Sequence, residues 1–127
     1  MKPSTFGKYA KRNGEVKAKA RTGNVPGEMN SHEEKYAERL EADRRAGRID
    51  SWQFEPMALH LAENLQYLPD FLVVYTDGTI EIHEVKGIWR KDAKSKIKMA
   101  ATAFPMFIFR SFRLNRGRWE EKEFKPR

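Results

Sequence analysis

Two carboxylates and one lysine stand out in the chain because together they suit chemistry on a phosphate ester. Asp70 precedes an apolar segment, and Glu84 and Lys86 flank Val85 further along. Carboxylate oxygens are ligands for a hard divalent cation such as Mg²⁺, which activates water and stabilises phosphate charge. A lysine beside them offers positive charge to a phosphate group. These residue types therefore predict a metal-dependent phosphodiesterase site.

The segment between these residues predicts a β-hairpin. Asp77-Gly78 lies between two apolar runs, which is a strong hairpin signal. Because side chains alternate along a strand, a two-residue turn would place Asp70 and Glu84 on opposite faces. A three-residue loop over 76–78 instead sets Asp70 opposite Glu84 and requires Gly78 in the left-handed conformation. We predict the three-residue loop, since it also gathers one apolar face: Leu72, Val74, Ile80 and Ile82.

The elements around this hairpin predict a mixed central sheet flanked by helices. A helix is expected from an N-cap at Ser31 to a stop at Gly47, and a basic helix from Arg90 to Ala103. Further strands are expected at 49–54, pairing with 57–61, and then at 106–112 and 118–124. The order α, β, β, β, β, α, β, β fits an α/β fold.

The order of these motifs resembles that of the PD-(D/E)XK nuclease superfamily. Pro69-Asp70 followed by Glu84-Val85-Lys86 is similar to its signature, and Ser31-His32-Glu33-Glu34 resembles its helical glutamate. The likeness is greatest to small phage endonucleases related to Holliday-junction resolvases, and next to TnsA-type endonucleases. It covers roughly residues 29–115. It implies a restriction-endonuclease-like fold, with the nuclease domain over 29–127.

The resemblance implies a Mg²⁺-dependent DNA endonuclease that hydrolyses phosphodiester bonds and leaves a 5′-phosphate, with Mn²⁺ as a substitute metal. Asp70 and Glu84 would hold one or two ions, together with the backbone carbonyl of Val85. Lys86 would stabilise the charge that develops on the phosphate or help to deprotonate the attacking water.

The helical glutamate has two interpretations. Glu34 lies where a capping box with Ser31 needs a carboxylate, so it could simply cap the helix. The resemblance instead assigns Glu34 to the catalytic site, where it would complete the metal site or orient a water. Glu33 is the fallback if the helix is rotated.

The formal net charge of +7 is unevenly distributed. Residues 1–21 carry seven basic side chains against Glu15 alone, and residues 1–28 are expected to form a basic flexible arm. Basic stretches of this kind are typical of nucleic-acid binding, although a solvated surface explains them too. Trp89 follows the site and would either stack on a base or pack. The expected phosphate-binding residues are Arg90, Lys91, Lys94 and Lys98.

Several other classes of protein are not supported. The chain has no cysteine and only three scattered histidines, so a zinc hydrolase is not expected. It has no Walker-type loop or dinucleotide motif, so no nucleotide cofactor is expected. Its apolar runs are too short to span a membrane, and no signal-peptide core is present. A cytoplasmic location follows, which is the host cytoplasm if the protein is phage-encoded.

The expected substrate is branched, Holliday-junction-like DNA, because of the resemblance to resolvase-related enzymes. Symmetric cutting of two strands would require a homodimer. Two alternatives stay open. One is a TnsA-like or nicking nuclease that depends on partners, and the other is a basic DNA-binding module that no longer cuts.

Overall fold

The computed structural model describes residues 27–87 and 90–126. Most of the predicted arm, and Trp89, lie outside the described residues. Two helices are described, α1 (Ser31–Arg45) and α2 (Lys91–Ala103), and neither is long and apolar enough to cross a membrane. The strands are β1 (Ile49–Phe54), β2 (Leu59–Ala62), β3 (Leu65–Tyr67), β4 (Phe71–Tyr75), β5 (Ile80–Val85), β6 (Ile108–Asn115) and β7 (Arg118–Phe124).

Five strands form one mixed sheet in the order β1-β4-β5-β6-β7. Neighbouring strands are antiparallel except β5 and β6, which are parallel. A parallel pair needs a crossover connection, and α2 lies in the chain segment that provides it. The predicted α/β fold with a mixed sheet and helices is confirmed.

The hairpin of β4 and β5 has the predicted register. Leu72 pairs with Ile82, and the Tyr75 N–H donates to the Thr79 carbonyl at 2.8 Å. The Gly78 N–H donates back to the Tyr75 carbonyl at 2.9 Å, and Gly78 has φ +92°. The loop therefore holds three residues, and extending the register places Asp70 opposite Glu84.

The predicted pairing of 49–54 with 57–61 is wrong. β1 pairs with β4, where Trp52 faces Val73 and Phe54 faces Phe71, and all four of these side chains are buried. β2 pairs instead with β3 in a separate two-stranded sheet. Asn64 closes the tight turn between them in a left-handed conformation, with φ +62°. Because β2 pairs with β3, β1 pairs with β4 instead and buries its large side chains in the main sheet.

The N-terminus of α1 starts one residue earlier than predicted. Asn30, not Ser31, is the N-cap: its side chain accepts the Glu33 N–H at 2.8 Å. The Glu33 carboxylate in turn accepts the Asn30 N–H at 2.9 Å, which completes a capping box. The predicted Ser31–Glu34 box is therefore replaced by Asn30–Glu33. The reason is that Glu33 lies in the buried helical stripe with Tyr36 and Leu40.

The sheet carries a different core on each face. On the α1 side, Tyr36 and Leu40 pack with Phe71 and other residues of the central strands. On the α2 side, Ile97 packs with Ile82 and other apolar residues. Because β5 alternates, Glu84 shares the α2 side with Ile82. The candidate site thus lies at one end of the sheet, where the two layers meet.

Candidate active site

Asp70 is fixed at the entrance to β4. Its side chain is buried, and Oδ2 accepts the Val85 N–H at 2.9 Å. Its own carbonyl accepts the Glu55 N–H at 2.8 Å, at the end of β1. Pro69, before it, is also buried. Asp70 is therefore tied to both neighbouring strands, by its carbonyl at the end of β1 and by its carboxylate at the end of β5.

Glu84 is buried in β5 and holds two donors. The Tyr67 hydroxyl donates to Oε1 at 2.5 Å, and the Lys86 ammonium lies 3.0 Å from Oε2. These two contacts hold the Glu84 carboxylate in place beside the cleft between β3 and α2.

Three carboxylates share this poorly solvated region. Burial, and then the charges of Glu84 and Glu33, raise the pKa of Asp70 well above its usual value, although the Val85 N–H opposes this. Burial raises the pKa of Glu33 to about 7, even though its hydrogen bond from Asn30 lowers it. Crowded buried carboxylates repel each other, so the cluster favours uptake of a proton or a cation.

Lys86 is the cation of the cluster. Burial lowers its pKa, but Glu84, Asp70 and Glu33 outweigh that effect, so the pKa is raised. Its side chain is 30% exposed, which leaves the ammonium partly accessible from solvent. A charged lysine beside these carboxylates offsets part of their negative charge.

Carboxylate oxygens are the ligands that a hard divalent cation prefers, and Asp70, Glu84 and Glu33 supply them here. In residues 27–87 and 90–126, no three His, Cys, Asp or Glu side chains converge closely enough to enclose an ion. Asp70 and Glu84 hold protein donors instead, the Val85 N–H on one and Tyr67 and Lys86 on the other. Ion binding would use these two carboxylates with the Val85 carbonyl, with Glu33 as the third carboxylate nearby.

The structure brings Glu33, rather than Glu34, to this cluster. Glu33 is 5% exposed, and its charge acts on Asp70. Glu34 lies one residue further along α1, about 100° around the helix, and is only half-buried. The structure therefore favours the fallback, Glu33, as the helical carboxylate of this cluster, and a catalytic role for Glu34 stays a prediction.

Residues 17–122 match a family described as "Protein of unknown function (DUF1064)". That match spans most of the chain. The chain belongs to DUF1064. No curated protein and no solved structure is significantly similar to it. Any function of this DUF1064 protein must therefore be argued from its own residues.

The basic residues expected to bind phosphate lie at and along α2 of the DUF1064 protein. Arg90 is its N-cap, and Lys91, Lys94 and Lys98 follow at intervals of three and four, so they share one face. All four side chains are exposed. Helix α2 lies on the same side of the sheet as Glu84.

A buried polar network on the α1 side is a feature that sequence reasoning missed. His83 Nδ1 lies 2.7 Å from the Tyr36 hydroxyl, and Nε2 lies 2.7 Å from Glu81. Arg110 donates to the same Glu81 oxygen at 3.1 Å. Burial lowers the pKa of His83. Because side chains alternate along β5, Glu81 and His83 lie on the face opposite Glu84, and the network holds the strand that presents Glu84.

Tyr67 is a second residue near the site that the sequence did not point to. It ends β3, just before Asp70, and its hydroxyl is the shortest contact to Glu84. Burial and the neighbouring Glu84 raise its pKa well above the usual value, so it stays a hydrogen-bond donor. A buried tyrosine needs a partner for its hydroxyl, and this was the only signal in the sequence.

Proposed function

We propose that this DUF1064 protein is a Mg²⁺-dependent DNA endonuclease, with Mn²⁺ able to replace Mg²⁺. The observation that carries the proposal is the cluster of Asp70, Glu84, Glu33 and Lys86 at one end of the sheet. Burying several carboxylates together costs stability unless a cation compensates them. Groups with strongly perturbed pKa values concentrate at functional sites for this reason.

Each residue of the cluster has a role in the proposed reaction. Asp70 and Glu84 would hold the ion, with the Val85 carbonyl as a further hard oxygen ligand. A bound ion would supply an activated water and would neutralise charge on the leaving oxygen. Lys86 offers its ammonium to the scissile phosphate, and Glu33 takes the role first assigned to Glu34, orienting a water or holding a proton.

The charge of the protein supports DNA as the partner. Helix α2, which lines the cleft beside Glu84, carries an exposed lysine face, and the N-terminal segment adds further basic residues. Neutralising phosphates with lysine and arginine supplies most of the sequence-independent affinity for DNA. Because of the resemblance to resolvase-related enzymes, we propose branched DNA as the substrate. The enzyme would act as a homodimer in the cytoplasm.

A cleavage panel tests the proposal. Supercoiled plasmid, linear duplex, single-stranded DNA and a four-way junction are incubated with wild type and Lys86→Ala in Mg²⁺, in Mn²⁺ and in a chelator. We expect cutting by wild type that requires metal, is greatest on the junction, and is lost in Lys86→Ala with DNA binding retained.

Two other results would change the proposed function. General nicking that is lost in Lys86→Ala would keep the chemistry and remove branched DNA as the substrate. Binding of DNA without cutting on any substrate would contradict the nuclease, and would favour a binding module or an enzyme that needs a partner.

A further inference from the structure

A groove leads away from Glu84 and Lys86, between β3 and α2. Its volume is about 650 Å³, which lies within the usual range for ligand sites, about 300 to 1,000 Å³. Leu65 and Leu68 line one side, and Ile97 and Met99 line the other. The candidate catalytic residues thus open into a cleft large enough for a substrate group.

The walls of this groove are more apolar than a phosphate site requires. Leu68 is 60% exposed and Met99 is 43% exposed. Among the described residues, only one other large apolar side chain is exposed to a similar degree, Met106. Two of these three exposed apolar side chains therefore line the same groove, whereas exposed apolar residues without a function are usually scattered singly over the surface. Leu68 also directly precedes Pro69 and Asp70, so it is held next to the reacting groups.

The groove also carries cations beside its apolar walls. Lys86 lies at its inner end and Lys96 on its α2 side. Asp92 also lines it, so its charge is mixed. The exposed lysines of α2, described above, lie on an adjoining face of the same helix. Positive charge next to leucine and methionine complements a nucleotide, which has an anionic phosphate and an apolar base face.

Double-stranded DNA does not fit this pattern. A duplex presents sugar and phosphate to a protein cleft and keeps its base faces stacked, so Leu68 and Met99 would contact a base face only if the duplex were kinked and a base step unstacked, which costs free energy. An unpaired nucleotide exposes the base face. Leucine and methionine are among the side chains that proteins insert against unstacked bases. Extracting a base costs least where it is already unpaired.

We propose that the groove binds an unpaired nucleotide of the strand being cut, with Leu68 and Met99 against its base. This inference rests on the proposed nuclease function and narrows its substrate to DNA that is locally single-stranded next to the scissile phosphate. Junctions, flaps and bubbles satisfy this condition, whereas continuous duplex does not.

The test compares the affinity of single-stranded and duplex DNA of one sequence, by fluorescence anisotropy. Asp70→Asn serves as the parent protein, because Asp70 does not line the groove and its loss stops cleavage during the titration. Leu68→Ser and Met99→Ser are introduced singly. Met106→Ser is the matched control, since it removes an exposed methionine that does not line the groove.

We expect the parent to prefer the single strand, and Leu68→Ser and Met99→Ser each to weaken single-strand binding by about tenfold. Duplex affinity, and both affinities of Met106→Ser, should stay unchanged. The inference would be overturned if both groove variants kept the parent's preference for single-stranded over duplex DNA. It would also be overturned if the parent bound duplex DNA more tightly than the single strand. If wild type still cuts DNA in those cases, the proposed function survives. No binding to any DNA and no cutting would overturn both.

Discussion

Glu33→Gln is expected to stabilise the protein in the absence of metal, and more so at high pH. The fold raises the pKa of Glu33 from 4.5 to about 7, with burial as the main cause. The folded state therefore prefers the protonated carboxyl. Stability falls as the pH rises from about 4.5 to about 7, and the loss persists above that range. Glutamine removes the ionisation, so it removes this loss.

The size of the effect follows from the difference between the two pKa values. The free energy of unfolding that Glu33→Gln should add is about 3 kcal/mol above pH 7 and less than about 1 kcal/mol at pH 5. Glutamine keeps a side-chain oxygen that accepts the Asn30 N–H, so the capping box is retained. The gain in unfolding free energy at pH 8 is thus not confounded by loss of the cap.

Urea denaturation of wild type and Glu33→Gln at pH 5 and pH 8, with a chelator present, measures this directly. At pH 8 the midpoint of the variant should rise by about 1 M or more. Glu38→Gln is the matched control, because Glu38 is exposed on the same helix. Comparing the two proteins at each pH cancels the titration of His83. An equal gain at both pH values, or a loss at pH 8, would refute the electrostatic reasoning.

Three further variants test other parts of the account. Tyr67→Phe removes the hydroxyl held against the buried carboxylate, and should cost about 2 kcal/mol of unfolding free energy in urea and also slow cleavage; unchanged values would contradict its role. Gly78→Ala should cost about 1 to 2 kcal/mol by the same measurement, because φ is +92° while the added Cβ meets open space. Replacing Lys91, Lys94 and Lys98 of α2 together by alanine should lower the magnitude of the slope of log DNA affinity against log salt concentration by about 2 to 3. An unchanged slope would show that these lysines do not contact phosphate.

The sequence predicted the parts of the fold that local patterns determine. The β4–β5 register followed from strand alternation and the Asp77-Gly78 loop. The final strand, Arg118–Phe124, has the predicted bounds. It follows a tight turn in which Arg116 and Gly117 both have positive φ, as a two-residue hairpin requires.

Other parts depend on packing that no local pattern records. Asn30 and Ser31 can both cap a helix, and burial of Glu33 decided between them. The strand after β1 paired with β3 because Asn64 allowed a tight local turn. His83 entered a buried network because its partner Tyr36 lies on a distant helix. The contact between Tyr36 and His83 is remote in sequence, whereas the cap at Asn30 and the turn at Asn64 are local features whose selection depends on packing elsewhere in the fold.

Calorimetric titration of Mn²⁺ into folded wild type and Asp70→Asn, with and without an uncleavable DNA strand, tests the central claim most directly. The claim is that the buried carboxylates of Asp70 and Glu84 hold a divalent ion. We expect saturable binding by wild type, and binding at least about tenfold weaker in Asp70→Asn. Equal affinity in the two proteins, or no binding by wild type in either condition, would contradict the account.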